Sequence, residues 1–258
     1  MAVSSEAEPM RFAVLADIHG NSDALEAVLR DMAAHGLETA VNLGDVFSGP
    51  LDARKTADIL MERDFPSVRG NHDRYLIEQD RSQMGPSDQV AFDALSPEHL
   101  AWIETLEPTK TVFGDVFLCH GTPQSDSTYW LERVEPDGTV RAATLAEVMA
   151  EAEGIAASLI LCGHTHIPRT VRLPDGRMIV NPGSVGCPAY DDDVPVYHHM
   201  QTSTPHASYA VVERAGGEWS VTFRSVPYDT RAASARALRH QRPDWARAVT
   251  TGWFEPRE

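Results

Sequence analysis

Residues 11–21 read RFAVLADIHGN, an apolar run followed at once by a carboxylate and an imidazole. The run at 11–16 predicts a buried β-strand, and the apolar face of residues 25–32 predicts a helix after it. Asp17 and His19 therefore fall where the strand ends. A strand, a polar loop and a helix in this order favour an α/β fold with functional side chains beyond the strand.

The first third of the chain repeats this alternation of strand and helix. Strands are predicted at 40–43 and 67–69, with part of a helix at 56–61 between them. Such alternation is typical of parallel strands joined by crossover helices, and ligands gather beyond the carboxyl ends of those strands. Three polar residues stand at these ends: Asp17, Asp45 and Asn71.

The later elements change from helices to hairpins. Residues 75–106 predict helices that break near residue 85, and residues 144–154 predict a helix that begins with a capping box. The remaining strands are predicted at 109–113, 116–119, 159–162, 170–173, 178–180, 208–213 and 219–226. Strand–helix units followed by hairpins indicate a mixed core of two sheets.

Composition and charge restrict the class of protein. The chain has 258 residues, 42% apolar content and a net charge of −16, which fits one large domain, or one domain with an appendage. The acidic balance argues against duplex nucleic acid and anionic membranes as partners. Three cysteines without a Cys-x-x-Cys pair favour a reducing compartment, so we expect a cytoplasmic protein in which these thiols are packing residues.

The domain organisation follows from these patterns. We expect a flexible leader at 1–9, one domain at 10–228 and a helical tail at 229–258 packed on that domain. Residues 191–205 have no clear period and predict a long surface loop, which could cover a site or mediate self-association into a homo-oligomer. Within it, His198-His199 could form a metal site, although a solvated pair is the favoured interpretation.

Five separated fragments carry the chemistry. They are Asp17-Ile18-His19, Gly44-Asp45, Gly70-Asn71-His72-Asp73, Cys119-His120-Gly121 and Gly163-His164-Thr165-His166. Each alone is a weak signal, since a histidine at a strand end is more often structural. Together they supply enough carboxylate, imidazole and amide ligands for two ions of the Mn, Fe or Zn type. Two-metal sites of this kind indicate hydrolysis of phosphate esters.

The ordered set resembles the calcineurin-like metallophosphoesterase superfamily over about residues 10–228. The opening DIHGN at 17–21 and NPGSVG at 181–186 are similar to the compact bacterial branch, whose characterised members are mostly phosphodiesterases. The resemblance implies a four-layer α/β/β/α sandwich of two mixed β-sheets flanked by helices. It also implies a small phosphate-ester substrate.

The resemblance implies a role for each fragment. The first of two divalent ions, Mn²⁺ or alternatively Fe, Zn or Ni, would be held by Asp17, His19 and His166. The second would be held by Asn71, His120 and His164, and Asp45 would bridge the two. A metal-bridging hydroxide would attack phosphorus while His72 protonates the leaving oxygen. Asp73 would orient the His72 ring, or else serve only as a carboxylate at a helix N-terminus.

Two further residues are candidates for contacting the phosphate. Arg169 follows the last ligand fragment, and arginine is the usual bidentate partner of phosphate, although a surface charge at a strand end is an equal alternative. Asn21 follows the first fragment, with a helix N-cap as its alternative.

The favoured activity is hydrolysis of phosphodiesters, nucleotide-like substrates included. Phosphomonoester hydrolysis and a metal-stabilised interaction scaffold are the alternatives. The sequence VFSG at 46–49 replaces the Asp-Arg-Gly continuation of protein phosphatases and dinucleoside tetraphosphatases, which disfavours both of those activities. The presence of His72 favours an enzyme over a scaffold.

Overall fold

The structure, a computed structural model, describes residues 10–255, so the leader expected at 1–9 lies outside the described residues. The helices are α1 (Ser22–Ala34), α2 (Ala53–Met61), α3 (Asn71–Glu78), α4 (Pro86–Ala94), α5 (Pro97–Glu104), α6 (Leu145–Glu151), α7 (Arg231–Arg239) and α8 (Pro243–Thr251). The strands are β1 (Met10–Leu15), β2 (Ala40–Asn42), β3 (Thr109–Val112), β4 (Val116–Cys119), β5 (Glu132–Val134), β6 (Val140–Ala142), β7 (Leu159–Leu161), β8 (Arg169–Arg172), β9 (Met178–Asn181), β10 (Ala189–Asp192), β11 (His198–Gln201), β12 (Ala207–Ala215) and β13 (Glu218–Val226).

Two mixed sheets form the centre of the molecule. The first has the order β13-β12-β1-β2, in which β1 pairs parallel with β2 and antiparallel with β12. The second has the order β3-β4-β7-β9-β8, with β4, β7 and β9 parallel and the two edge strands antiparallel. The parallel strands of both sheets therefore bring their carboxyl ends to one region, where the candidate ligands lie.

Three apolar layers hold the two sheets and their helices together. Alternate residues of β1 show the division, because Val14 packs between the sheets while Leu15 packs under the helices. The outer face of the second sheet buries Ile160 and Ile179 against Trp130 and the α6 residue Val148. The chain therefore has the predicted four-layer fold, with two mixed sheets between helical layers.

Two sequence predictions for local structure were wrong. Residues 67–69 form only isolated bridges, from Ser67 to Asn42 and from Val68 to Glu107, because the segment meets each neighbour at one residue. Residues 191–205 are not a loop, because β10 and β11 pair as an antiparallel hairpin. The burial of β11 alternates between buried and half-buried residues, but over four residues this period is too short to recognise in sequence.

The C-terminal tail forms two helices, and Pro243 begins the second of them. Arg236 of α7 pairs with Asp23 at 2.5 Å and with Asp52 at 3.2 Å, which ties the tail to the start of α1 and α2. A separate apolar cluster packs Trp245 and Val249 of α8 against Leu51 and Cys187. Within residues 10–255, no helix has the length and apolar character needed to cross a membrane.

Candidate metal centre

The candidate ligands stand on loops that leave the carboxyl ends of strands in both sheets. Asp17 follows β1 and Asp45 follows β2, whereas His120 directly follows β4 and the segment 163–166 follows β7. Asn71 is the first residue of α3. The structure thus brings together at one site the seven residues that the resemblance assigned to metals.

The backbone of these loops is strained in a way that aims the side chains inward. Of the residues described, eight that are not glycine have positive φ. Five of the eight are candidate ligands: Asp17, His19, Asp45, His164 and His166. Such conformations cost about 1–3 kcal/mol each and persist only where the surroundings enforce them. Their concentration here indicates a functional site.

Asp73 enforces the conformation of the Asp45 loop. Its carboxylate accepts hydrogen bonds from the backbone N–H groups of Asp45 (2.8 Å), Val46 (3.0 Å) and Gly70 (3.0 Å). A Cβ at Gly70 would stand 2.1 Å from Asp45 Oδ1, so only glycine fits at this approach. Asp73 therefore has the alternative role considered from sequence, a carboxylate at a helix N-terminus, rather than the orientation of His72.

The ligand atoms form two adjacent groups. In one group, atoms of Asp17, His19 and His166 all lie within 4.8 Å of one another, and in the other the same holds for Asp45, His120 and His164.

Asp45 faces both groups. Its Oδ2 lies 3.1 Å from His120 Nε2 and 3.9 Å from His19 Nε2, and its Oδ1 accepts the backbone N–H of His72. Asn71 Oδ1 joins the second group at 3.1 Å from His120 Nε2.

Backbone carbonyl groups fix the tautomers of three histidines. The Nδ1 atoms of His19, His120 and His166 lie 2.7, 2.8 and 2.6 Å from the carbonyl oxygens of Ser48, Leu43 and Cys187. Because a carbonyl oxygen only accepts, each Nδ1 must donate a proton. In the neutral rings the Nε2 lone pair is then free to bind a metal, the arrangement usual for metal-binding histidines.

The ligand atoms that face the interior of the two groups are mainly hydrogen-bond acceptors, which bind cations but repel one another. His19 Nε2 and His166 Nε2 lie 3.3 Å apart, and both are acceptors when the rings are neutral. His120 Nε2 and the Asn71 amide oxygen repeat this pairing of acceptors. Since facing acceptors repel, the donor set fits a divalent cation in each group, and its mixture of oxygen and nitrogen suits Mn, Fe or Zn.

The electrostatics of the groups without cations support the same conclusion. Burial would raise the pKa of Asp17 and Asp45, but His166 and His120 lower the two values below their usual range. Burial would lower the pKa of His120, but Asp45 raises it to about 9. Burial and His166 lower the pKa of His19 to about 4. The buried carboxylates therefore require positive charge, which protons supply where no metal is bound.

His72 stands beside the two groups and has a different environment. Its ring is 5.5 Å from that of His19, and its side chain is 33% exposed to the cavity. Nδ1 lies 2.8 Å from Asp88 Oδ1, which also accepts the Ser48 hydroxyl at 2.5 Å. Burial would lower the pKa of His72, but Asp88 raises it to about 10.

Asp88 is the residue that orients His72, and sequence analysis missed it. It lies in the first turn of α4, where acidic residues are common for their effect on the helix alone. Ser48 was missed as well, although it lies in the segment 46–49 where the chain departs from protein phosphatases. This difference from protein phosphatases was the one sequence feature that could have indicated a role for Ser48.

Comparison with known proteins identifies the family. The sequence model of the calcineurin-like phosphoesterase superfamily domain matches residues 10–213. The chain belongs to the calcineurin-like phosphoesterase superfamily. It is therefore a metal-dependent phosphoester hydrolase.

Relatives support this assignment over nearly the full chain. An uncharacterized protein of Methanocaldococcus jannaschii is 23% identical over 255 residues, covering 90% of this chain and 94% of that protein. A metallophosphoesterase from Sphaerobacter thermophilus has a TM-score of 0.73 at 24% identity, covering 95% of this chain and 99% of its own. A hypothetical protein from Pyrococcus horikoshii OT3 has a TM-score of 0.72 at 18% identity, with the same coverage. The two structures share the fold.

Neither residue expected to touch phosphate reaches the metal groups of the phosphoesterase. Asn21 caps α1 by accepting the N–H of Ala24, and its amide donates to Gly186 O and Tyr228 Oη. Arg169 lies at the start of β8, where its guanidinium donates to Glu132 Oε1 at 2.6 Å. Nearby partners thus satisfy both side chains, and phosphate contact by either residue stays a prediction.

The histidine pair of the hairpin is also placed differently from expectation. His198 is buried, donates from Nδ1 to Val196 O and contacts the Tyr129 hydroxyl at 2.9 Å, while His199 stacks on Phe254. The two rings thus pack the phosphoesterase hairpin against its surroundings, with His198 buried and His199 half-buried. Tyr190 of β10 donates its hydroxyl to His164 O, which links the hairpin to the metal loop.

A cavity of about 680 Å³ opens above the two groups. Its inner end is lined by His19, Asp45, Asn71, His72 and His164, together with His166. Its outer part is lined by residues of the hairpin, a segment that could cover a site on sequence grounds, and of the C-terminal tail, which sequence analysis had not connected with the site. The phosphoesterase therefore has space for a substrate much larger than a phosphate group.

Proposed function

We propose that this phosphoesterase is a dinuclear phosphodiesterase in which His72 protonates the leaving oxygen. The observation that carries the proposal is the position of Asp45 Oδ2, which faces His120 Nε2 at 3.1 Å and His19 Nε2 at 3.9 Å. One carboxylate oxygen between two groups of ligands fits two ions that share it.

The two groups would hold one ion each. The residues concerned are Asp17, His19 and His166 for the first, Asn71, His120 and His164 for the second, and Asp45 for both. Bound divalent ions supply Lewis-acid chemistry, which polarises a phosphate and lowers the pKa of water from 15.7 toward roughly 7. The donor set favours Mn²⁺, with Fe, Zn or Ni as alternatives.

His72 has the geometry of a general acid. Asp88 accepts the Nδ1 proton, which fixes the ring and leaves Nε2 as the atom that can give a proton to the leaving oxygen. Asn71 precedes His72 on α3, so one helix start presents an amide to the metal groups and an imidazole to the cavity.

The size of the cavity favours a diester over a monoester. A phosphate held at the metal groups would occupy only the inner end of about 680 Å³. Ligand pockets of roughly 300–1,000 Å³ enclose most of a molecule of drug size. A diester carries two substituents on its phosphate, and the outer cavity has room for them.

The test uses the protein loaded with Mn²⁺, with metal content measured per chain. We expect two ions per chain, and a higher kcat/KM for bis(4-nitrophenyl) phosphate than for 4-nitrophenyl phosphate. The opposite preference would replace the proposal with a phosphomonoesterase. Folded protein that binds metal but hydrolyses neither ester with any of the four metals would indicate the scaffold.

A His72→Ala variant tests the acid. It should keep both metals and lose about 10²–10⁴-fold in kcat for a diester with a poor leaving group. His35→Ala, at an exposed histidine beyond α1, is the control and should leave kcat unchanged. Loss of metal from His72→Ala would make His72 a ligand and refute the assigned role.

A further inference from the structure

The outer wall of the cavity is built largely by a segment beyond the family domain. The match to the family ends at residue 213, whereas Arg242, Asp244, Trp245 and Phe254 all line the cavity. The hairpin residues Asp192, Val194 and Pro195 complete the lining on this side. We call these seven residues the outer wall.

The side of the outer wall that belongs to α8 is held by packing and by hydrogen bonds. Trp245 is 9% exposed and packs in the apolar cluster beneath α8. Arg242 donates to Ser87 Oγ and to both carboxylate oxygens of Asp244, and its guanidinium lies 5.9 Å from the Trp245 ring. A wall fixed in this way is preorganised and loses little conformational entropy when it binds a ligand.

The outer wall adjoins the reacting groups. The Trp245 ring contacts the His19 ring edge-on at a centroid distance of 5.8 Å, and the same His19 ring is 5.5 Å from His72. Trp245 and the candidate acid His72 therefore both adjoin the His19 ring, which places Trp245 beside the substituents of a phosphate held at the metal groups. Indole faces and edges favour planar aromatic groups as partners.

The charges of the outer cavity select against additional phosphates. Apart from Asp45, the residues lining the cavity include five carboxylates (Glu132, Glu151, Asp191, Asp192, Asp244) but two guanidinium groups (Arg133, Arg242). Arg242 pairs with Asp244, and Glu132 pairs with Arg169 outside the lining. The other charges of the lining are three carboxylates and one guanidinium group, and the whole chain carries a net charge of −16. A second anionic group would meet repulsion here, whereas a neutral group would not.

We propose that the outer wall, with Trp245 at its centre, binds a neutral planar group of nucleobase size carried by a monoanionic phosphodiester. This inference rests on the proposed function, since it names the substrate class for the same site. Stacking of a base on an aromatic side chain is worth about 1–3 kcal/mol, or roughly five- to 150-fold in affinity.

The test compares two monoanionic diesters that differ by one nucleoside. Binding of adenosine 5′-methyl phosphate and of dimethyl phosphate is measured by titration calorimetry on the Mn²⁺-loaded protein. We expect the nucleoside diester to bind at least about fivefold more tightly. The 3′-O-sulfate of the same nucleoside diester keeps the diester and adds a second anionic group, so it should bind no more tightly than the parent diester. Tighter binding of the sulfated diester would overturn the charge selection.

Substitutions test which residue is responsible for the preference for the nucleoside diester. Trp245→Ala should remove most of the preference for the nucleoside diester over dimethyl phosphate, a ratio of affinities that cancels any change which the variant causes at the neighbouring His19. Trp245→Leu keeps apolar volume under α8 and should lose the preference for the nucleoside diester to the same extent. It replaces the alanine variant if thermal unfolding shows that the alanine variant is misfolded. Trp253→Ala removes the same side chain from an exposed position of the tail and should keep the preference.

The outcomes separate this proposal from the proposed function. Equal affinity of the wild-type protein for both diesters, or a preference that survives in folded Trp245→Leu, would overturn the role of the outer wall. Either result leaves the diesterase activity to be judged by its own assay. Conversely, absence of turnover would refute the diesterase activity, whereas the calorimetric comparison would still test whether the outer wall binds the nucleoside.

Discussion

The inner and outer ends of the cavity are built by different means. At the inner end, strand-end loops with positive φ at Asp17, Asp45 and His164 aim ligand atoms at two points, and backbone groups hold those loops. At the outer end, side chains from a hairpin and a C-terminal helix meet by packing. The comparison teaches that local backbone conformation positions the candidate ligands, whereas the outer end is assembled by packing between segments that are distant in sequence.

The largest effect should come from the residue that both inner groups share. Asp45→Asn keeps the shape of the side chain but removes the charge between His120 and His19. We expect fewer than two ions per chain, and a loss in kcat/KM beyond the roughly 10⁴-fold that marks the upper range for an acid–base group. Metal analysis and diester assays measure both.

Asp58→Asn is the matched control for that substitution. Asp58 pairs with His99 on the far side of α2, and its side chain is 61% exposed. It should leave metal content and turnover unchanged. If Asp45→Asn retained two ions and most activity, the two inner groups would not depend on a shared carboxylate.

The inner end was the part that sequence could predict. Strand, loop and helix alternate through the first third of the chain, and ligand residues directly follow strands β1, β2 and β4. Local pattern decides such positions, because a strand's end and the loop after it are neighbours in sequence. The four-layer fold followed from the same pattern, together with the resemblance.

The contacts at the outer end of the cavity and around His72 could be identified only from the folded structure. Asp88 meets His72 across 16 positions, and Trp245 meets His19 from the opposite end of the chain. No local period links such pairs, since tertiary packing alone brings them together. The pairing of Arg169 with Glu132 was missed for the same reason, because Glu132 lies on a hairpin that the sequence pattern did not reveal.

Asp88→Asn should have the next largest effect, about 10–100-fold in kcat, by analogy with residues that orient metal-bound histidines. The substitution weakens the contact that fixes the His72 ring at 2.8 Å. In a double-mutant cycle, its effect should nearly disappear when His72 is already alanine. Asp93→Asn, on the exposed face of the same helix, is the control. Additive losses in the cycle would mean that Asp88 acts independently of His72.

Metal affinity of the inner groups should depend on pH. The pKa of His120 is about 9 where no metal is bound, because Asp45 outweighs the effect of burial. Below that pH a metal must displace the proton, so affinity should fall as pH falls, by up to about tenfold per unit for each proton released. Titration against a competing chelator between pH 6 and 9 measures the slope. A metal affinity that stays constant over this pH range would show that His120 carries no proton on Nε2 for the metal to displace.

The smallest effect on metal binding and turnover should come from substitution of a glycine at the outer end of the cavity. Gly252 ends α8 with φ of 72°, and a Cβ there would stand 2.2 Å from Thr204 O, next to the hairpin. Gly114 has a similar φ of 77° but open space around it, so Gly114→Ala measures the cost of positive φ alone. We expect Gly252→Ala to lower the free energy of unfolding by at least about 1 kcal/mol more than Gly114→Ala, from displacement of packed backbone. Metal content should stay at two ions in both variants, because the clash at Gly252 is with Thr204 and not with the inner loops. Loss of metal from Gly252→Ala would show that the two ends of the cavity are mechanically coupled.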